Sequence, residues 1–382
     1  MPEIAEVALM ADAIREILNG QSLSKIHILG GRYLIYKIQD ELGQWVSKIK
    51  VVTDNNVERW VLVNPENFPH GQYLPELKNF QEFVVALPLS VLSVNVKGKF
   101  CWIELENEWY IGITFGMSGG IYYEPTDEVL SDHSKLTGHK ISKMEYTKHF
   151  HIKFETSSGS AFYFGDARKF GTITLSKDRS QLKKKLDKLG PDMLTGQPIT
   201  DEQFIEIFRQ YKFNSSNICQ VLMGQKAISG VGNYIKAEVL YECGINPWAL
   251  VSDLNDQNLI QLHSSIRRIA HLAYFGHGAS LYTYTGTRKE KGSFQNLLQV
   301  YGKKTDPNGL EVVIIPDKQS PDRRATHYVI SKQTIGIHRD PKALSINQSD
   351  PPKNTNGLNK LPLKLKLKNK LPLKLKLNTS KV

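Results

Sequence analysis

The first residues of the chain carry the spacing of an amphipathic helix. Apolar side chains recur at helical intervals between Ile4 and Leu18. Pro2 precedes the first turn, and an Asn-Gly pair, a common stop signal, follows the last apolar residue. The pattern therefore predicts a helix over residues 4–18.

From about residue 22 to 175 the period changes, and short runs rich in β-branched and aromatic residues alternate with Gly, Asn and Asp. The clearest predicted strands are residues 93–96, 100–105, 109–114, 149–155 and 161–164. Several short strands at this spacing favour a β-sandwich or barrel. Residues 39–75, rich in Asn and Pro, interrupt the pattern, and we expect an irregular surface insertion there.

A helical region follows the β-rich one. The polar stretch 183–196 is predicted to be a linker, and Thr200 with Gln203 has the spacing of a capping box beyond it. Further helices are predicted at residues 218–223, 234–241 and 256–274. An Asp-Pro-Asn-Gly turn then precedes the apolar run 310–315, for which residues 325–330 offer a partner strand. The expected fold class is α+β, closed by a β-hairpin.

Positive charge is concentrated near the C-terminus. The 382 residues carry a formal net charge of +11, and the segment 349–382, here named the Lys/Leu tail, holds nine lysines and one aspartate. Residues 1–348 therefore carry only +3, so any polyanion-binding surface there depends on where the charges lie. The repeated Lys/Leu composition of the tail favours disorder, and an adhesive basic segment for DNA or anionic lipid is the alternative.

The cysteine pattern excludes two common classes of small domain. Cys101, Cys219 and Cys243 are far apart and form no C-x-x-C pair, which argues against a disulfide framework and a standard zinc module. No apolar run approaches the ~18 residues that span a bilayer, and no secretory signal precedes the first helix. We therefore expect an intracellular protein that is not secreted.

The N-terminal Met-Pro-Glu sequence has the groups needed for covalent catalysis. Removal of Met1 exposes a secondary amine on Pro2, which can attack an electrophilic carbon and form an iminium. The carboxyl group of Glu3 lies one residue away and can move protons. Ordinary helix initiation is the alternative, because Pro is common at the first helical position and Glu in the first turn.

A glycine-rich turn precedes the helix predicted at 234–241. Gly230 and Gly232 allow close backbone approach, and Asn233 is placed to be the helix N-cap. Free N–H groups and the helix dipole favour an anion there, such as a DNA phosphate. A tight turn between two helices is the alternative.

Seven short motifs stand in a recognisable order. They are MPEIAEV at the N-terminus, KGKF from Lys97, FGMSG from Phe115, DARKFG from Asp166, LGPD from Leu189, SGVGNYIKAEVLY from Ser229 and VYG from Val300. Each motif is modest alone, but their order over residues 1–332 resembles the Fpg/Nei DNA glycosylases. The chain is most similar to the zincless, endonuclease VIII-like branch of that family.

The resemblance implies a domain organisation. Residues 1–182 are expected to form a catalytic domain with an N-terminal helix and a β-sandwich, followed by a linker at 183–196. A helix-two-turn-helix DNA-binding domain is expected at 197–297, a zincless finger hairpin at 298–332 and a disordered basic tail at 333–382. No cysteine follows Cys243, so the finger has no four-cysteine zinc site.

The resemblance also implies catalytic roles at the N-terminus. Pro2 would be the Schiff-base nucleophile on C1′ of the damaged nucleotide. Glu3 would be the acid that assists opening of the sugar ring, and Glu6 a supporting carboxylate. The family usually has a second proline where this chain has Ala5, which leaves both carboxylates in place.

Two basic residues complete the implied catalytic set. Lys99 corresponds to a lysine that contacts phosphate and assists elimination, and a solvated strand lysine is the alternative. Arg324 matches the finger arginine that contacts phosphate and is associated with δ-elimination, with Arg323 as a competitor shifted by one residue. Thr114 stands where many bacterial members have a phosphate-contacting histidine.

The resemblance further implies residues that bind DNA. A base stacked in a duplex must be extruded before it can be cut, and Met117, Arg168 and Phe170 match the triad that fills the resulting gap. Lys169 replaces a frequent arginine and would meet a phosphate as a point charge. Met117 and Phe170 would otherwise be core residues. The phosphates that flank the lesion would be held by Gly230, Gly232 and Asn233.

The implied activity is that of a bifunctional DNA glycosylase and abasic-site lyase in base excision repair. It would remove oxidised pyrimidines and ring-opened or hydantoin purines, and then cut the strand by β- and δ-elimination. No metal and no cofactor are expected. The expected partner is damaged DNA, which would be double-stranded, with single-stranded DNA as the open alternative. The protein is expected to act as a monomer and to make no contact with a membrane. A non-catalytic lesion- or structure-specific DNA-binding protein is the rival, and a functional anchor in the Lys/Leu tail is a third possibility.

Overall fold

The computed structural model describes residues 2–30, 33, 38–39, 45–46, 49–54, 57–62, 77–279 and 293–336. The helices α1 to α10 are Ile4–Leu18, Phe80–Ala86, Asp127–Thr137, Lys143–Thr147, Arg179–Asp187, Asp201–Arg209, Tyr211–Asn214, Ile218–Met223, Asn233–Glu242 and Asp256–Phe275. The strands β1 to β14 are Ser22–Ile28, Ile38–Gln39, Trp45–Val46, Ile49–Asp54, Val57–Leu62, Leu89–Lys97, Phe100–Leu105, Tyr110–Thr114, Gly119–Tyr123, Phe150–Thr156, Ala161–Asp166, Thr172–Ser176, Val313–Ile315 and Thr326–Tyr328.

Eight of these strands form one antiparallel sheet in the order β12-β8-β7-β6-β1-β10-β11-β9. The middle neighbours β1 and β6 share only the pairs Ser22 with Ser90 and Leu23 with Leu89. The sheet therefore divides into two four-stranded halves, and apolar side chains from both halves form one core with α1. The expected β-sandwich and the α+β fold class are confirmed.

The first helix connects two hydrophobic cores. Ile4 and Ala5, in its first turn, belong to the core formed by the helices after residue 200. Val7, Met10 and Ile14 belong to the sandwich core. Because both cores fix the same helix, the residues at its start are held at the junction between the β-sandwich and the helical domain.

The finger hairpin, residues 298–332, packs against α9. The buried carboxylate of Glu238 accepts backbone hydrogen bonds from Gln299, Val300 and Tyr301 at 2.8 to 3.0 Å. The strands β13 and β14 then pair antiparallel, as predicted. The hairpin is therefore anchored on the helix that follows the glycine-rich turn.

The structure differs from the sequence predictions at three places. The segment 39–75, expected to be irregular, contains the strand pair β4 and β5. The expected linker 183–196 begins inside α5, which ends at Asp187. The tail expected from residue 333 begins too early, because Gln333 is fully buried and donates a hydrogen bond to the carbonyl of Ile245. Residues 337–382 of the predicted tail lie outside the described residues.

Five helices, α2, α3, α4, α5 and α7, were not predicted, and two of them, α3 and α4, carry clear capping signals. Each has an N-cap, Thr126 and Ser142 respectively, whose side chain accepts a backbone hydrogen bond from the first turn. In the part of the chain that the structure describes, no helix combines the length and the apolar character needed to cross a membrane.

Candidate functional site

The N-terminal segment lies against the start of α9. The carboxylate of Glu3 accepts hydrogen bonds from the backbone N–H groups of Gly232, Tyr234 and Ile235 at 2.8, 2.8 and 3.2 Å. These N–H groups have no partner within the helix, since they belong to its first turn. Pro2, also buried, directly precedes this carboxylate. The anion bound at this helix N-terminus is therefore a side chain of the protein.

This arrangement corrects the prediction for Asn233. The N-cap is Gly232, and Asn233 is the first helical residue. The side-chain amide of Asn233 instead donates a hydrogen bond to the carbonyl of Ala325 in the finger hairpin, at 3.0 Å. Because Gly232 has no side chain to cap the helix, Glu3 supplies the capping group from the other domain.

Both predicted glycines are required by the protein's own N-terminus. A Cβ on Gly232 would lie 2.2 Å from Cδ of Glu3. Gly230 has φ of +101°, and a Cβ there would lie 2.3 Å from Cδ1 of Ile4. The N–H of Ile4 also donates to the carbonyl of Gly230 at 3.1 Å. The glycines are therefore explained by the tight turn that the sequence left open as an alternative, since any side chain at either position would displace the N-terminal segment.

The side chain of Glu6 is hydrogen-bonded to the backbone of Glu3. Its buried carboxylate accepts hydrogen bonds from the N–H of Glu3 at 2.9 Å, the hydroxyl of Tyr234 at 3.1 Å and the N–H of Ala279 at 3.0 Å. These three donors come from the N-cap of α1, from α9 and from the residues after α10. Glu6 is therefore a structural link between the N-terminus and the helical domain.

Burial and the neighbouring Glu6 place the carboxyl group of Glu3 in an environment suited to proton transfer. Burial raises the pKa of Glu3 to about 7, against the opposing effects of the Lys99 charge and the backbone donors at Tyr234 and Ile235. The neighbouring Glu6 contributes to the rise. A group with this pKa is present in both protonation states at neutral pH, so it can donate a proton and later accept one.

Lys99 joins this cluster from the turn between β6 and β7. Burial lowers the pKa of Lys99, and the positive charge of Arg324 adds to the effect, whereas Glu3 and Glu6 oppose it. Its neighbour Gly98 donates its N–H to the carboxylate of Asp192 at 2.5 Å. Lys99 is half-buried among charged groups rather than a solvated strand lysine.

The finger hairpin contributes Arg324 to the same cluster. Arg324 acts electrostatically on Lys99, whereas Arg323 is exposed and has a left-handed backbone with φ of +57°. Of the two arginines left open by the sequence, the structure brings Arg324 to the site. The cluster therefore contains all five residues that were predicted to be catalytic.

The residues predicted to fill the gap in DNA lie on two adjoining loops. Phe170 is 55% exposed, which is unusual for a large aromatic residue, and the guanidinium of Arg168 lies 5.5 Å from its ring centroid. Lys169 is exposed between them, in a left-handed conformation with φ of +59°. Met117 is half-buried on the neighbouring loop. A Cβ on Gly116 would lie 2.9 Å from Cβ of Phe170, so the two loops are in contact.

A buried carboxylate holds both of these loops. Asp166 accepts hydrogen bonds from the N–H groups of Arg168 at 3.0 Å and Gly171 at 2.6 Å, and from the hydroxyl of Ser118 at 2.5 Å. The exposed Arg-Lys-Phe segment is therefore fixed at its base. Phe170 is not a core residue, contrary to the alternative that the sequence left open.

Sequence reasoning missed a residue that shapes the glycine-rich turn. The side chain of Gln225 accepts the N–H of Gly230 at 2.8 Å and donates to the carbonyl of Val231 at 2.8 Å and to that of Met223 at 3.2 Å. No signal in a single sequence marks this glutamine.

A second missed residue is Tyr301, from the VYG motif. Its ring lies 6.3 Å from that of Tyr234, and burial, together with the charge of Glu3, raises the pKa of its hydroxyl. The motif was recognised, but only the fold shows that this tyrosine faces the carboxylate cluster. Within the described residues, no group of three or more His, Cys, Asp or Glu side chains is arranged to hold a metal ion.

Comparison with known proteins gives a consistent result across the chain. Residues 42–173 match the formamidopyrimidine-DNA glycosylase N-terminal domain, and residues 189–282 match the formamidopyrimidine-DNA glycosylase H2TH domain. The chain is 30% identical over 244 residues to a formamidopyrimidine-DNA glycosylase of Shouchella clausii, covering 63% of this chain and 79% of that protein. It is 31% identical over 230 residues to one of Streptococcus agalactiae, covering 59% and 78%.

Solved structures with the same fold cover most of the chain. A mutant FPG of Lactococcus lactis, in complex with a Fapy-dG containing DNA, aligns with a TM-score of 0.62 and 22% identity over 87% of this chain and 100% of that one. The FPG protein of Thermus thermophilus aligns with a TM-score of 0.61 and 21% identity over 88% and 100%. At this level of identity the likeness establishes the fold.

Proposed function

The chain belongs to the formamidopyrimidine-DNA glycosylase family, and on that premise we propose that it excises oxidised bases from damaged DNA and then cuts the strand. Relatives of 30 and 31% identity carry the glycosylase name. Two solved neighbours of the same fold contain Fapy-dG DNA and abasic-site DNA. The chain is accordingly a DNA glycosylase of repair, and its finer chemistry follows from the junction around Glu3.

In the proposed reaction the nitrogen of Pro2, after removal of Met1, attacks C1′ of the damaged nucleotide as the base leaves. The C1′–O4′ bond then breaks as the ring oxygen takes up a proton, and the iminium that results acidifies the proton on C2′, whose removal breaks the C3′–O bond by β-elimination. Loss of the C4′ proton breaks the C5′–O bond in a second elimination, which frees the sugar fragment from the strand. Each step moves a proton at the sugar, so the reaction needs an acid and base beside the nucleophile.

Glu3 is the residue best placed for these transfers, and its environment is the observation that carries the proposal. It is adjacent to Pro2, is 2% exposed and has a pKa raised to about 7 by burial. It can therefore protonate the ring oxygen of the sugar and then accept the C2′ proton. Lys99 and Arg324 place positive charge at the same cluster, which suits the phosphates on either side of the reacting sugar.

The exposed loops support extrusion of the damaged nucleotide. Phe170 would enter the base stack as a wedge, Arg168 would hydrogen-bond the orphaned base, and Met117 would fill the gap. Lys169 would contact the backbone phosphate beside them. Because unstacking costs a few kcal/mol, restored stacking on these side chains offsets part of that cost.

We further propose the domain division that the cores suggest. Residues 1–182 form the catalytic domain, residues 197–297 the helix-two-turn-helix domain and residues 298–332 a finger held without a metal, which the buried Gln333 extends to residue 336. The finger is attached through Glu238 and Asn233 of α9, so packing and hydrogen bonds take the place of a metal site.

A comparison of excision with binding tests the proposal. Glu3→Gln should lower excision of an oxidised pyrimidine from duplex DNA by at least about a hundredfold, because a general acid contributes that much. Binding of the same duplex should change by less than about threefold. The exposed Glu16→Gln is the matched control on the same helix and should behave as wild type. Full excision by Glu3→Gln would indicate another catalytic centre, whereas binding without excision by the wild type would favour the non-catalytic DNA-binding alternative.

A further inference from the structure

A buried ion pair lies beside the catalytic cluster but is not part of it. Nζ of Lys236, on α9, is 2.6 Å from Oδ2 of Asp322, in the finger hairpin, and the two side chains are 1% and 2% exposed. Removing two charges from water costs several kcal/mol per ion, so such a pair is a weak source of stability, and the contacts around it indicate a role in fixing a geometry.

The geometry that this pair fixes is that of a short turn. The second carboxylate oxygen of Asp322 accepts the backbone N–H of Arg324 at 3.3 Å. On either side, the carbonyl of Pro321 accepts a hydrogen bond from Gln220 at 2.8 Å, and that of Ala325 accepts one from Asn233 at 3.0 Å. The turn 321–325 is therefore tied to the helical domain at three successive points, and the ion pair is the central one.

The same helix also receives the catalytic carboxylate. Glu3 caps the first turn of α9 through Gly232, Tyr234 and Ile235, and Lys236 is the next residue. The helix thus sets the position of Glu3 on one side and of the turn bearing Arg324 on the other.

We propose that Lys236 and Asp322 are positioning residues that hold the turn 321–325 so that the guanidinium of Arg324 meets a DNA phosphate beside the reacting sugar. This inference rests on the proposed function for the role of Arg324 in δ-elimination. Neither member of the pair reaches DNA, since both side chains are buried.

Burial of Lys236 makes the proposal testable by salt dependence. Each phosphate contact that is lost lowers the slope of log K against log salt by about 0.9. A lysine that is 1% exposed makes no such contact, so any change of slope on its removal must come from another residue. Arg324→Ala should reduce the slope by about 0.9, and removal of the buried pair should reduce it by the same amount.

The variant that removes the pair is Lys236→Met with Asp322→Leu, because apolar side chains of similar volume commonly replace a buried ion pair without loss of stability. Its ratio of δ- to β-elimination product on an abasic duplex should fall at least tenfold, as in Arg324→Ala. Adding Arg324→Ala to it should change neither the slope nor the ratio further. Lys236→Arg, which keeps the charge, should retain both values.

Asp256→Asn is the control, because it breaks the exposed ion pair with Arg209 in the same helical domain and should leave both readouts unchanged. A wild-type slope and product ratio in the apolar double variant would overturn the proposal, as would additive losses when Arg324→Ala is combined with it. If wild-type protein gives no elimination product at all, the proposed function fails instead, and the salt slopes still decide whether the pair positions Arg324.

Discussion

Replacement of Glu3 by glutamine should make the stability of the protein less dependent on pH. At its ordinary value of 4.5 the carboxyl group ionises in the unfolded chain, but burial holds the pKa in the folded protein at about 7. Between these values the folded protein keeps a proton that the unfolded chain releases, so wild type loses stability as the pH rises. A pKa rise from 4.5 to about 7 corresponds to about 3 kcal/mol. The loss is complete above about pH 7 and absent below about pH 4.5.

The glutamine of Glu3→Gln cannot titrate. The quantity to measure is the free energy of unfolding of the wild type minus that of the variant, and it should fall by about 3 kcal/mol between pH 4 and pH 8. Urea unfolding of both proteins at matched pH values measures this difference, and the titrating groups that do not interact with Glu3 cancel. Glu16→Gln is the control, because that side chain is exposed on the same helix. A difference that stays constant, or that rises with pH, would mean that Lys99 and the α9 N-terminus keep the carboxylate ionised. Glu3 would then lack the proton that the proposed reaction requires.

Two further substitutions test the geometry of the site and of the exposed loop. Gly232→Ala should lower excision at least tenfold, since its Cβ would lie 2.2 Å from Cδ of Glu3. Gly20→Ala is the control: Gly20 has φ of +65° and no neighbour within 4 Å of a Cβ, so this variant should keep full activity at a cost of about 1–2 kcal/mol. Full activity of Gly232→Ala in a lesion-excision assay would contradict the docking of the carboxylate. Phe170→Ala should lower excision from duplex DNA about tenfold more than excision from single strands. It should change the free energy of unfolding by less than about 0.5 kcal/mol, and the control Tyr211→Ala, at another exposed aromatic residue, should change it as little. An equal effect of Phe170→Ala on both substrates would argue against a wedge.

Local patterns predicted those elements whose periodicity is strong. The apolar spacing of α1 gave both limits of that helix, and the capping box at Thr200 gave the start of α6. The helices α3 and α4 were missed because they carry few apolar residues, although the cap pair of Ser142 and Glu145 is readable in the sequence. The strands β4 and β5 were missed because the Asn pair between them and the Asn and Pro residues after β5 dominate the composition of that segment.

In the candidate site, contacts between residues that are distant in the chain could not be predicted from the sequence. Motifs placed Pro2, Glu3 and Lys99 in a catalytic set, but only the fold shows that Glu3 caps α9 in place of Asn233. A cap that comes from another domain leaves no signal at the helix itself. The same holds for Lys236, whose partner is 86 residues away in the chain.

The most direct test of the central claim is to locate the covalent bond between protein and DNA. Wild-type protein, with Met1 removed, should be trapped on an abasic duplex by borohydride, and mass spectrometry of the digested adduct should place the reduced sugar on the nitrogen of Pro2. A chain extended at its N-terminus, in which that nitrogen is an amide, should give no adduct. Absence of an adduct with the wild type, or its attachment to Lys99 or to any other lysine, would contradict the account.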